Sequence, residues 1–117
     1  MLVRRALLSL VLLLAVPWAA HADAFVAGTE DVPLIAGLDP VRGSSVVFDK
    51  PQGRIVEAQA RGPLSRRKVE AFYAATLPQL GWSTAGRNAW RREGEVLRLD
   101  FSGRDGHLTV DFTLSPQ

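Results

Sequence analysis

Cysteine is absent from the chain, and histidine is nearly so, with only His21 and His107 present. Without cysteine there is no disulfide, no thiol nucleophile and no thiolate metal ligand, so packing alone must hold the fold. Zinc centres draw on several His or Cys ligands and calcium loops on oxygens clustered at fixed spacing, and the sequence has neither pattern. A hydrolytic triad needs a histidine base, and beyond the N-terminal region His107 is the single candidate. The glycines match no phosphate-binding loop. Nothing here implies a metal or a cofactor. Long apolar runs are missing too: the stretch from Ala6 to Val16 falls short of the roughly 20 residues that span a bilayer.

What the N-terminus does have is the order of parts of an export signal. Arg4 and Arg5 give a basic start, Ala6 to Val16 the apolar stretch, Pro17 a helix break and Ala20-His21-Ala22 an A-x-A exit. Cleavage is expected before Asp23, making residues 1–22 a signal peptide, with a cut after Ala24 the close alternative. No cysteine follows the apolar run, so a lipid-modified N-terminus is not expected, and the product should be periplasmic without an integral membrane span. Removing Arg4 and Arg5 from the 14 bases leaves twelve against 12 acids. That balance argues against nucleic acid as a partner, because phosphate binding needs a net basic footprint. The charge is uneven, however. Asp23 to Asp49 holds five acids and only Arg42, whereas Lys50 to Gln117 holds eleven bases and seven acids.

Residues 23–44 read as an extended acidic leader rich in Pro and Gly, too apolar for a plain linker and so expected to lie against something. Residues 45–117 read as a single α+β domain. It opens with a hairpin, Ser45 to Ala60, around Lys50-Pro51-Gln52-Gly53. A three-residue loop there sets Phe48 opposite Val56 and Val46 opposite Ala58, leaving Val47 and Ile55 on the far face for the leader to cover. Ser65 caps a helix whose stripe is Val69, Phe72, Tyr73, Thr76, Leu77 and Leu80, with Leu64 stapling onto Val69. Pro78 disturbs its last turn and Gly81 ends it. Strands follow at Trp82–Thr84, Ala89–Arg92, Glu95–Ser102 and His107–Ser115. For the last pair, a two-residue loop, Asp105-Gly106, would set Asp100 against Asp111. A four-residue loop, Gly103 to Gly106, sets Arg98 there instead and is favoured. The expected architecture is two layers: an antiparallel sheet of four to five strands with one helix on one face, in the order hairpin, helix, then three or four strands.

The run Phe72-Tyr73-x3-Leu77-Pro78-x-Leu80-Gly81-Trp82 resembles a signature of small uncharacterised secreted proteins of Gram-negative bacteria, and Phe48-Asp49-Lys50-Pro51 and Gly53-Arg54-Ile55-Val56 are similar to the same group. The likeness is best from Asp31 to Trp82. It encodes a turn and a helix end and carries no activity across.

Two features invite a binding role. Arg66-Arg67-Lys68 occupies the first helical turn, where the helix dipole disfavours positive charge by about 0.3–1 kcal/mol per residue, so something must offset it. Glu70 is within reach of Arg66 and Arg67. Arg91 and Arg92 directly follow Trp90, and an arginine beside an aromatic can grip a sugar or an anion, although a domain this small needs Trp90 as core area. Glu93 and Glu95 around Gly94 are the nearest approach to a glycosidase pair, and Ser102 beside His107 the nearest to a nucleophile and base. The leading expectation is a periplasmic non-catalytic module that binds an envelope protein or an anionic envelope component. It does so through Arg66, Arg67, Lys68, Trp90, Arg91 and Arg92, or through the outer sheet face beside the leader. A small hydrolase or glycosidase is one alternative. A carrier of small apolar ligands, with a pocket at Phe72, Tyr73 and Trp90, is the other.

Overall fold

In a computed structural model the described residues are 24–117, so the export signal expected at residues 1–22 lies outside them. The elements in order are β1 (Asp39–Pro40), β2 (Val46–Lys50), β3 (Gly53–Gly62), α1 (Arg66–Thr76), a 3-10 turn (Leu77–Leu80), β4 (Ser83–Thr84), β5 (Ala89–Arg92), β6 (Glu95–Arg104) and β7 (His107–Pro116). The fold is α+β, with one helix and an open antiparallel sheet ordered β1-β3-β7-β6-β5-β4. β2 also pairs with β3, along Gly53–Glu57, while β1 pairs with Ala60 and Arg61 further along the same strand. The sheet has seven strands where four to five were expected. β1 is only two residues long, too short to leave an alternation in the sequence, while β4 lies within the strand expected at Trp82–Thr84.

One face of the sheet is apolar and covered. Val56, Ala58 and Ala60 of β3, Leu97 and Leu99 of β6, and Leu108, Val110, Phe112 and Leu114 of β7 form one buried cluster. Each of the Val, Leu and Phe side chains contributes about 1.5–3 kcal/mol when fully buried. α1 presses Val69 and Tyr73 onto it, followed by Leu77 from the 3-10 turn. Ser65 caps the helix as expected, its Oγ accepting from the Lys68 N–H at 3.1 Å. Pro78 tightens the end into the 3-10 turn, and Gly81, at φ 90°, closes it.

The leader shares this face with α1. Val26, Val32, Leu34, Ile35 and Leu38 belong to the same core. The segment folds back on itself, with the Val26 N–H donating to Val32 O at 2.8 Å and the Leu34 N–H to Ala24 O at 2.7 Å. Tyr73 fastens it to the helix, its hydroxyl donating to Pro33 O at 2.8 Å. Burial pushes that hydroxyl's pKa well above its ordinary value, so it remains a donor.

Two hairpin registers differ from expectation, and tertiary contacts decide both. In β2–β3, Lys50 pairs with Gly53, so the loop is the two residues Pro51-Gln52. Phe48 then faces Ile55 and Val47 faces Val56, a shift of one residue that turns Val46 and Phe48 to the outer face. The leader sets this register: a Cβ on Gly28, at φ 83°, would lie 2.7 Å from Val56 Cγ1 and 3.3 Å from Val47 Cγ2, so the leader packs over both valines. In β6–β7, Arg104 pairs with His107, so the short Asp105-Gly106 loop forms and Asp100 does face Asp111. That loop docks on the start of α1. Asp105 Oδ1 accepts from the Arg66 N–H at 2.9 Å, and the Gly106 N–H donates to Leu64 O at 3.0 Å. A like-charge cross-strand pair costs about 0.2–1 kcal/mol, which a charge-assisted hydrogen bond at a helix N-terminus can offset.

Candidate functional site

The basic helix start is supported from outside the helix. Asp105 places its carboxylate at the N-terminus of α1, supplying the negative charge that the first turn lacks. Arg66 is further engaged by Glu70, Nε to Oε1 at 3.4 Å, and by Phe101, whose ring centroid lies 4.9 Å from the guanidinium carbon. Arg67 and Lys68 stay exposed. Arg66 is therefore part of a structural junction between α1 and the β6–β7 turn, while Arg67 and Lys68 are not drawn into it.

The second candidate group divides three ways. Trp90 is buried in the core, opposite Leu97. Arg92 is fully committed, its two terminal nitrogens bonding the Asp31 carboxylate at 2.8 and 3.0 Å while one also donates to Leu80 O at 3.0 Å. The guanidinium carbon sits 4.3 Å from the ring centroid of Trp82, whose buried indole N–H has no partner among the described residues. Arg92 is thus a clamp joining the leader, the 3-10 turn and β5. Hydrogen bonding from Arg92 lowers the Asp31 pKa, and Asp31 in turn raises that of Arg92. Only Arg91 of the three remains exposed.

Around this clamp lies an open groove of about 1050 Å³. It is lined by carboxylates of Glu30, Asp31, Glu93 and Glu95 and by Arg54 and Arg91. Its charges are largely matched within it, Arg54 Nε lying 3.9 Å from Glu95 Oε2. Hydrogen bonding from Arg92 moves the Asp31 carboxylate's pKa down, which suits an ion-pair partner and not a proton donor. His107 and Ser102 do not meet: in the observed register His107 faces Arg104 and Ser102 faces Thr109. No group of three or more metal-binding side chains forms among the described residues. The helix–sheet interior is filled, Tyr73 being 1% exposed and packed edge-on against Phe72 and Phe112 with centroids 4.9 and 5.7 Å away. The enclosed void beneath the leader, beside Val26 and Phe112, is about 10 Å³, too small for an apolar ligand.

The feature that sequence reasoning placed on the wrong face is the edge formed by β2. All five of its residues are exposed, including Val46 at 38%, Val47 at 50% and Phe48 at 47%. Gln59 turns its main chain toward this side of β3, its N–H to Ser44 Oγ at 3.1 Å and its carbonyl to the Val41 N–H at 2.8 Å. By the alternation of an antiparallel ladder, Glu57 and Ile55 face the same way, and their partners Val46 and Phe48 bond into β3. Val47 and Asp49 therefore aim their N–H and C=O groups outward, at an edge with no further strand among the described residues. A run of V-V-F before a turn was the available signal, but its meaning depended on the register. No family model matches the chain, and neither curated proteins nor solved structures give a match.

Proposed function

We propose that the protein is an exported, non-catalytic binding module that takes an extended segment of a protein chain along the open edge of β2. The observation that carries this reading is a five-residue edge strand, wholly exposed, with apolar side chains on both faces and unpaired main-chain groups between them. Such an edge is a template for strand addition: the main chain provides affinity and alternate side chains provide selectivity. Export is supported by the N-terminal order of basic, apolar and A-x-A segments. The binding reading gains from the ion pairs of the groove, Arg92 with Asp31 and Arg54 with Glu95, in which Asp31 is suited to pairing and not to proton donation. An anionic partner at Arg67, Lys68 and Arg91 is the weaker version, since Arg66 and Arg92 are already engaged.

Photocrosslinking residues placed singly at positions 47, 67 and 91 in the producing bacterium test this. Protein adducts concentrated at position 47 are expected. Adducts confined to 67 or 91 would transfer the function to the basic surface. Fractionation with N-terminal sequencing should find a periplasmic form beginning at Asp23 or Phe25, and an uncut cytoplasmic chain would reject export.

A further inference from the structure

We infer that the segment received by β2 is the β2 of a second copy of this chain, paired antiparallel about a two-fold axis through Val47. The inference rests on the strand-addition reading and names its occupant. With Val47 and Asp49 pointing outward, an antiparallel partner can bond only when outward residues meet outward residues, which puts a two-fold axis on a residue and not between two. The side chains then choose among the four candidates. An axis on Asp49 sets two carboxylates face to face. On Phe48 it sets Asp49 against Val47 and Lys50 against Val46. On Val46 it leaves Val47 against Ser45 and Phe48 against Ser44. On Val47 it matches Val47 with Val47, Val46 with Phe48 and Asp49 with Ser45.

That last register alone puts apolar against apolar and charge against hydroxyl, and cross-strand pairs of this kind are what stabilise a sheet. It also agrees with the faces. Val46 and Phe48 lie on the outer face with Ile55, so two copies merge their exposed apolar strips into one. Residues 23–117 carry twelve bases and twelve acids, so no net repulsion opposes the approach. The contact is a single five-residue strand, well below the size of a permanent interface, so the dimer is weak and concentration-dependent.

The absence of cysteine makes the test direct. The full chain is expressed in export-competent bacteria with single changes Val47→Cys, Phe48→Cys or Arg67→Cys and mildly oxidised. Facing residues of a bonded antiparallel pair have Cα atoms about 5.5 Å apart, within disulfide reach. Val47→Cys is expected to give covalent dimer at least about tenfold faster than either control, since diagonal neighbours lie beyond that reach. Sedimentation of the unmodified protein should shift from monomer toward dimer as concentration rises, and Val47→Lys, whose aliphatic stem can keep the contact with Gly28, should abolish the shift while the monomer still unfolds cooperatively. Val47→Pro, which removes an outward N–H and no β2–β3 bond, should do the same. A monomer at all concentrations without preferential crosslinking at position 47 overturns the second copy as occupant. So does a dimer that survives both Val47 changes. If adducts to a different protein then appear at position 47, strand addition stands with another partner; if none do, both readings fall.

Discussion

At β4 the sheet ends in two residues that pair over the buried Trp90, and the chain turns back at once, the Ala85 N–H bonding Ala89 O at 2.8 Å. At the other side, β3 is flanked first by β1, where Pro40 has no N–H to offer, and then by β2, whose five residues run exposed. Shortness and proline are ordinary ways to blunt an edge. The chain applies one at β4 and both at β1 but neither along Val46–Phe48, which has only Asp49, Lys50 and Pro51 at its end. The difference separates an edge that closes the fold from one that remains available.

The sharpest way to break this contrast is to remove the support beneath the closed edge. Trp90→Ala should cost about 3–5 kcal/mol in urea unfolding, the usual range for an aromatic lost from a core; a cost near that of a surface change would show that the β4 side is not closed by packing. Gly28→Ala comes next, because it combines φ 83° with a Cβ 2.7 Å from Val56 Cγ1. A loss of roughly 1–3 kcal/mol is expected. Hydrogen exchange should show it as faster exchange of the leader amides. The Asp31–Arg92 clamp should contribute less, of order 1 kcal/mol or below, since the Asp31 side chain is 51% exposed. Its folded pKa is lowered, so its contribution is present above the unfolded value near 3.9 and is lost as pH falls through the folded value. Asp31→Asn should remove that portion of the acid dependence in thermal melts between neutral and acid pH. Smallest of all, Phe48→Ala should leave monomer stability within about 0.5 kcal/mol in urea unfolding, as surface substitutions do.

The parts of the fold legible in sequence were those with local causes. The stripe Val69-Tyr73-Leu77, the Ser65 cap and the Gly81 exit all appear where spacing and capping place them. The strands expected at Glu95–Ser102 and His107–Ser115 likewise lie within β6 and β7. Both misplaced registers lay at turns whose geometry depends on distant residues: Gly28 for Val47 and Val56, Arg66 and Leu64 for Asp105 and Gly106. The site suffered for the same reason. Arg92 was read as free because Asp31, its partner, stands in a leader without periodicity. A one-residue slip hid Val46 and Phe48 in an inward face.

The clamp also has a bearing on when the molecule becomes complete. Asp31 and Arg92 are 61 residues apart in sequence, and Pro33 and Tyr73 are 40 apart. A chain made from its N-terminus presents the leader first and its partners much later, so five apolar leader residues wait unburied until the last strands exist. Closure of Asp31 on Arg92 can therefore happen only once β5 is in place. An open clamp therefore marks an unfinished chain, one whose leader has not yet met β5.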